Sequence, residues 1–198
     1  MGLILIFAAA CKTDPVKEKA KHLARGKQFL LDKKFREARI EFRNVLVLDK
    51  NSVEGFMGLA EAATGLNSLQ EAFDALTQAE ILDPKNLEAK VKIGNLFLLS
   101  ANDVQSVTFA ETRAADILGA DPNHIEGYIL RAGVRSAQRR FPEAEADLAK
   151  AVSLNTNRPE SYLSYARYWD QRARAAANLV EADKYKAEAQ AKYDAALK

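Results

Sequence analysis

The stretch FMGLAEAATGLNSLQEAFDALTQAEILDP, from Phe56 to Pro84, carries apolar residues at Phe56, Leu59, Ala60 and Ala63, and again at Leu69, Ala72, Leu76, Ala79 and Leu82. Both runs follow the 3.6-residue period of an amphipathic helix. Gly65-Leu66-Asn67-Ser68 separates them, and Asp83-Pro84-Lys85-Asn86 closes the second run with a proline that cannot continue a helix. The stretch therefore predicts a helical hairpin.

The same hairpin recurs outward from it. Alanines in a helical pattern stand at Ala38, Ala72, Ala110 and Ala144, spaced 34, 38 and 34 residues, and again at Ala189 after 45. Twelve residues before Ala38, Ala72 and Ala144 lie Gly26, Ala60 and Ala132; Gly94 and Ala166 hold that place in the two stretched units. Small residues at both points let paired helices and the next hairpin approach closely. A fixed period of this length marks an array of stacked units.

The punctuation fits. Asp32-Lys33-Lys34 and Gln138-Arg139-Arg140 are further turns, and Asp49-Lys50-Asn51, Asp121-Pro122-Asn123 and Asn155-Thr156-Asn157 separate units. Ser52, Asn86 and Asn157 are expected to cap the helices that follow, and Pro142 and Pro159 to fall in first turns, where a missing amide donor costs nothing. Extra residues Ser100–Ser106 are expected in the turn of the third unit, and about eleven between Trp169 and Tyr185 to lengthen both helices of the fifth.

Composition agrees with an all-α chain. Of 198 residues, 48% are apolar and 8% aromatic, enough for a continuous interior, while Gly (9) and Pro (5) are sparse. Twenty-nine Lys and Arg against 27 Asp and Glu leave a net charge of +2, without the basic excess a nucleic-acid partner calls for.

The N-terminus is different in kind. Gly2 to Ala10 carry no charge, and Leu3 to Phe7 followed by Ala8-Ala9-Ala10 make a short apolar core before small residues, the pattern of an export signal. It is too short to span a bilayer, which takes roughly 20 apolar residues. Cys11 is the sole cysteine, so no disulfide forms within one chain. Residues 12–18 read as a polar tether.

Taken together, these units resemble the tetratricopeptide repeat, whose outline is W-x2-L-G-x2-Y, then A-x3-F, a further small or aliphatic residue, and Asp-Pro. The second unit matches at Phe56, Leu59-Ala60, Ala63, Ala72, Leu76, Ala79 and Asp83-Pro84; the first at Leu23, Gly26, Phe29, Ala38, Phe42 and Val45. The third matches at Gly94, Phe97, Ala110, Ala114 and Asp121-Pro122, the fourth at Tyr128, Ala132, Ala144 and Leu148, the fifth at Tyr162, Tyr165-Ala166, Trp169, Ala189 and Tyr193. The resemblance implies a right-handed α-solenoid of about five hairpins over residues 19–198, with units 19–52, 53–86, 87–124, 125–158 and 159–198. Ala-Ala-Ala-Cys resembles a bacterial lipobox, which implies that residues 1–11 are a signal ending in a lipidated Cys11. Lys12 in place of Asp implies the outer membrane, facing the periplasm. Phrases such as Ala38-Arg39-Ile40-Glu41-Phe42-Arg43 resemble repeat lipoproteins of exopolysaccharide export and protein-sorting (PEP-CTERM) systems. Pilotin lipoproteins, the lipoprotein of the β-barrel assembly machine and soluble chaperones or adaptors remain alternatives.

Catalysis needs a nucleophile, a base and an orienting group, or a metal set, in one pocket. No phosphate loop, His-Glu metal motif or Ser-centred elbow occurs in the chain. His22 is expected to be a half-buried helix residue and His124 a solvated loop residue. The expectation is a non-catalytic protein without cofactor, metal site, nucleic acid or small-molecule substrate. The resemblance instead implies a concave groove for a partner peptide or helix. Its positions are Leu23, Lys27 and Leu30; Met57, Glu61 and Thr64; Val91, Asn95 and Leu98; Ile129, Gly133 and Ser136; and Leu163, Arg167 and Asp170. Arg131 and Arg135 form a candidate anion patch with Arg139 and Arg140, although arginine stems also pack well there. Glu54, Glu88, Glu126 and Glu160 each fall in a first turn, where the helix dipole favours them. Most of the aromatic residues after Arg158, including Trp169, match core positions of the repeat and are expected there rather than in a binding site.

Overall fold

The computed structural model describes residues 14–99 and 103–197. Ten α-helices run through them: α1 (Pro15–Leu31), α2 (Phe35–Leu48), α3 (Val53–Gly65), α4 (Leu69–Leu82), α5 (Leu87–Leu99), α6 (Val104–Ala120), α7 (Ile125–Ala137), α8 (Phe141–Leu154), α9 (Pro159–Arg174) and α10 (Leu179–Ala196). No strand occurs among the described residues. The all-α expectation holds. Cys11 and the signal segment lie outside the described residues, as do Ser100 to Asn102.

The chain divides between Lys85 and Asn86 into two compact units. In the first, α1 packs on α2 and α3 on α4, and α3 also meets α1 and α2. The ring of Phe42 on α2 is the wedge of this unit, 1% exposed. It reaches between α1 and α3: a Cβ placed on Gly26 would come within 2.8 Å of the ring, and one on Gly58 within 2.2 Å. Gly26 holds the repeat's small position and Gly58 lies two residues before that position in the second hairpin, and against this ring both must be glycine. Ala38, Val45, Ala72, Leu76 and Ala79, all buried, complete the interior.

In the second unit α5 pairs with α6, α7 with α8 and α9 with α10, and the first helices also touch, α5 to α7 and α7 to α9. Val91, Ala114, Ile117 and Leu130 form one cluster. Ala132, Ala144, Leu148, Tyr165, Tyr168, Trp169 and Ala189 form another, with Phe141, Tyr185 and Tyr193 against it. Trp169 stands edge-on to Tyr168 at 5.0 Å and stacks on Tyr185 at 5.4 Å. Tyr165, Tyr168 and Trp169 are core as expected, whereas Tyr162, Tyr185 and Tyr193 are half-buried.

Three turns are built alike. Lys33, Asn67 and Arg139 adopt left-handed backbone, φ 56°, 57° and 60°. In each, the next residue's amide reaches back to the third-last helical carbonyl: Lys34 to Phe29, Ser68 to Ala63, Arg140 to Arg135. This is the Schellman closure, which usually places glycine at the left-handed position.

Several expectations need correction. The capping oxygens of Ser52 and Asn86 accept from Gly55 and Ala89 N–H as predicted, but Asn157 caps nothing. Pro159 takes the first helical position, leaving Arg158 as the cap residue, without a side-chain bond. His124 is no solvated loop residue: its Nδ1 accepts from Gly127 N–H at 3.2 Å and caps α7. The expected tether is helical from Pro15, which starts α1 after the cap Asp14; residues 15–17 are exposed and Glu18 is half-buried. The insertion of the third unit goes largely into α6, 17 residues against 14 in α2, α4 and α8, because Asp103 caps it early through Ser106 N–H. The fifth unit is lengthened in both helices, to 16 and 18 residues.

Candidate functional site

Residues one turn apart on a helix share a face. In the second unit three such faces meet in one hollow of about 530 Å³. From α5 it takes Asn95 and Leu98; from α7, Ile129, Gly133 and Ser136; from α9, Ser164, Arg167, Tyr168 and Gln171. Gly133 allows the approach of α5, since a Cβ there would sit 2.7 Å from Leu98 Cδ1. Leu148 of α8 and Ala132 close the floor. A second hollow of about 390 Å³ shares Ser136, Ala137, Tyr168 and Gln171 with the first and adds Arg139, Phe141, Arg172 and Ala175. The two adjoin along α7 and α9.

The wall between them is held by bonds on its far side. Tyr168 Oη donates to Phe141 O at 3.1 Å. Burial pushes the Tyr168 hydroxyl up, more than the charge of Arg172 draws it down, and Glu145 adds to the rise. Arg172 lies over the Phe141 ring at 3.8 Å and donates to Tyr185 Oη, which donates to Glu181.

Six of the expected groove residues, Asn95, Leu98, Ile129, Gly133, Ser136 and Arg167, come together here. Others do not. Val91 is buried in the α5–α7 cluster and lines a separate hollow with Asn95, Lys92 and His124. Asp170 faces α10, where it accepts from Tyr193 Oη at 2.6 Å. On α9 the lining stripe is Ser164, Arg167 and Gln171, one position round from Leu163 and Asp170. That register follows from Tyr165 and Trp169 turning inward. In the first unit Leu23, Leu30 and Met57 are half-buried, and Lys27 Nζ pairs with Glu54 at 2.5 Å. Glu61 and Thr64 are exposed, the latter donating back to Ala60 O.

Arg131 and Arg135 face an anion supplied by the chain itself. Arg131 donates from Nε and Nη2 to Asp147 of α8, at 3.0 and 2.7 Å, and Arg135 Nη1 adds a bond at 2.5 Å. The Asp147 side chain is 5% exposed. Of the first-turn glutamates, Glu126 binds Arg158. His22, half-buried as expected, brings Nδ1 within 2.5 Å of Glu41 Oε2. Among the described residues no His, Cys, Asp and Glu group gathers to hold a metal ion, and no helix is long and apolar enough to cross a membrane.

An all-α chain of paired helices, with the first helices of its second unit sharing one lined face, has the tetratricopeptide-repeat fold, and solved structures match it. A thermophilic TPR protein of Thermus thermophilus superposes with a TM-score of 0.71 at 19% identity, over 90% of this chain and 98% of that one. The protein pilF of Pseudomonas aeruginosa gives 0.66 at 17%, over 90% and 78%. MamA of Desulfovibrio magneticus RS-1, as its fragment from residue 41, gives 0.62 at 14%, over 91% and 93%. No family profile matches the chain, and no curated protein matches it in sequence.

Proposed function

We propose that this chain is a non-catalytic scaffold of the bacterial envelope, tied to a membrane by lipid on Cys11 and holding a segment of a partner protein along α5, α7 and α9. One observation carries the reading. Three successive first helices turn small, amide and apolar side chains into one open hollow, with Leu98, Ile129 and Leu148 offering carbon and Asn95, Ser136 and Gln171 offering hydrogen bonds. Extended peptides and single helices are held on such surfaces. The anchor rests on the sequence, where a short apolar run ends at Ala-Ala-Ala-Cys. Support for assembly of an export or secretion complex rests on the resemblance alone.

Site-specific photocrosslinking tests the groove. A benzophenone side chain replacing Ser136 should trap a discrete envelope protein, whereas one replacing Lys150, exposed on α8, should not. Equal trapping at both positions, or none at Ser136, removes the groove from the account. For the anchor, fatty-acid labelling and fractionation of Cys11→Ala decide: a variant that labels and fractionates as the parent does ends that part.

A further inference from the structure

The charged residues lining the two adjoining hollows are all cations: Arg139 at the α7–α8 turn, and Arg167 and Arg172 on α9. Among the described residues no Asp or Glu lines either one. Other arginines are held by carboxylates of the chain, Arg39 and Arg43 by Glu71, Arg131 and Arg135 by Asp147, Arg140 by Glu143 and Arg158 by Glu126. Arg139 and Arg167 have no such partner, and both are exposed. Arg172 is tied through Tyr185 to Glu181 on one side, but its Nε is buried without a hydrogen-bond partner. Beside the apolar Leu98, Ile129 and Leu148 the chain thus sets two exposed guanidinium groups, Arg139 and Arg167, that no carboxylate of its own pairs, while Arg172 is balanced by Glu181 through Tyr185.

We infer that the segment this groove accepts is acidic and amphipathic, with apolar side chains on Leu98 and Ile129 and carboxylates meeting Arg139, Arg167 and Arg172. The inference rests on the groove reading above and narrows it to one chemistry. A carboxylate can take two parallel bonds from a guanidinium, and complementary charge fixes register and speeds encounter. A flat anionic bilayer is a poorer fit, because the apolar floor is recessed between α5, α7 and α9.

Fluorescent short peptides of one apolar pattern, carrying Glu, Ser or Lys at the polar positions, test this with the full chain, phosphatidylglycerol vesicles serving as the lipid control. The Glu peptide should bind about tenfold more tightly than the Ser peptide, lose that margin as salt rises, and keep its place in the presence of vesicles. The double variant R139Q/R167Q should bring Glu and Ser peptides level while melting as the parent does; Arg172 is left intact because it also packs on Phe141. Ser or Lys peptides that bind as well as Glu, a margin that survives in the double variant, or vesicles that displace the Glu peptide would each overturn the inference. A crosslinker at Ser136 separates the two claims. Ser and Glu peptides trapped there equally would leave the groove standing and remove its acidic preference, whereas no peptide trapped there removes both.

Discussion

In the first unit Arg39 and Arg43, one turn apart on α2, converge on Glu71 of α4; in the second, Arg131 and Arg135, one turn apart on α7, converge on Asp147 of α8. The chemistry is the same and the depth is not. The Glu71 side chain keeps 23% of its surface, Asp147 only 5%, and Arg131 grips it with two parallel bonds. Solvent screens the first cluster and leaves it a small term, while in the second the carboxylate is committed to its arginines. The first unit relies instead on shape, with the ring of Phe42 seated on two glycines. One repeat template is thus held together in two physical ways.

Removing the wedge should have the largest effect. Phe42→Ala is expected to cost about 3–5 kcal/mol in chemical denaturation, because the ring is buried on all sides and leaves a cavity. Next comes Asp147→Ala, at about 2–3 kcal/mol, since it strands two guanidinium groups that the fold desolvates in part. The matching change Glu71→Ala should cost less than about 1 kcal/mol. Equal losses at Asp147 and Glu71 would show that burial is not what separates the clusters. A smaller gain is expected from Lys33→Gly and Arg139→Gly, each about 0.5–1 kcal/mol more stable, because both residues hold left-handed backbone that glycine adopts freely. Arg139→Gly should at the same time weaken Glu-peptide binding, and Lys33→Gly should not. The smallest effect is one of pH. Burial draws the Glu126 carboxyl upward, but the bond and charge of Arg158, its own backbone amide and His124 outweigh this and hold it below the ordinary carboxylate range. Its contribution is present above the unfolded value near 4.5 and is lost as pH falls through the lowered one. Glu126→Gln should therefore flatten the loss of stability between about pH 5 and pH 3, by less than about 1 kcal/mol given its exposure.

The hairpins were legible because small and large residues at fixed spacing report the packing of helix on helix directly. The Phe42 contact shows this: Gly26, Ala38 and Phe42 mark it from the sequence alone. What could not be read were relations set across the hairpin. Asp147 lies 16 residues from Arg131 and 12 from Arg135, so the pair of arginines looked like an open anion patch. Nothing local marks their partner. On α9 Arg167 joins the lining but Leu163 and Asp170 miss it by one residue, because inward Tyr165 and Trp169, together with Tyr193 on α10, decide which way the helix turns. His124 read as a loop residue because histidine is an unusual cap; its spacing of three before Gly127 was the available signal. The α5–α7–α9 groove was half legible, with Asn95, Leu98, Ile129, Gly133, Ser136 and Arg167 placed by repeat register, and Tyr168 and Gln171 visible only in three dimensions.

The Phe42 wedge also bears on where such a chain can be cut. Counted by sequence, Phe42 belongs to the first repeat, yet its ring is covered only when Gly58 of the second is in place. A fragment ending at Ser52 would leave an aromatic ring in water, so the boundary between copies of the motif is not a boundary between pieces that can stand alone. Duplication, deletion or grafting at that seam should succeed only where the incoming neighbour also offers a glycine.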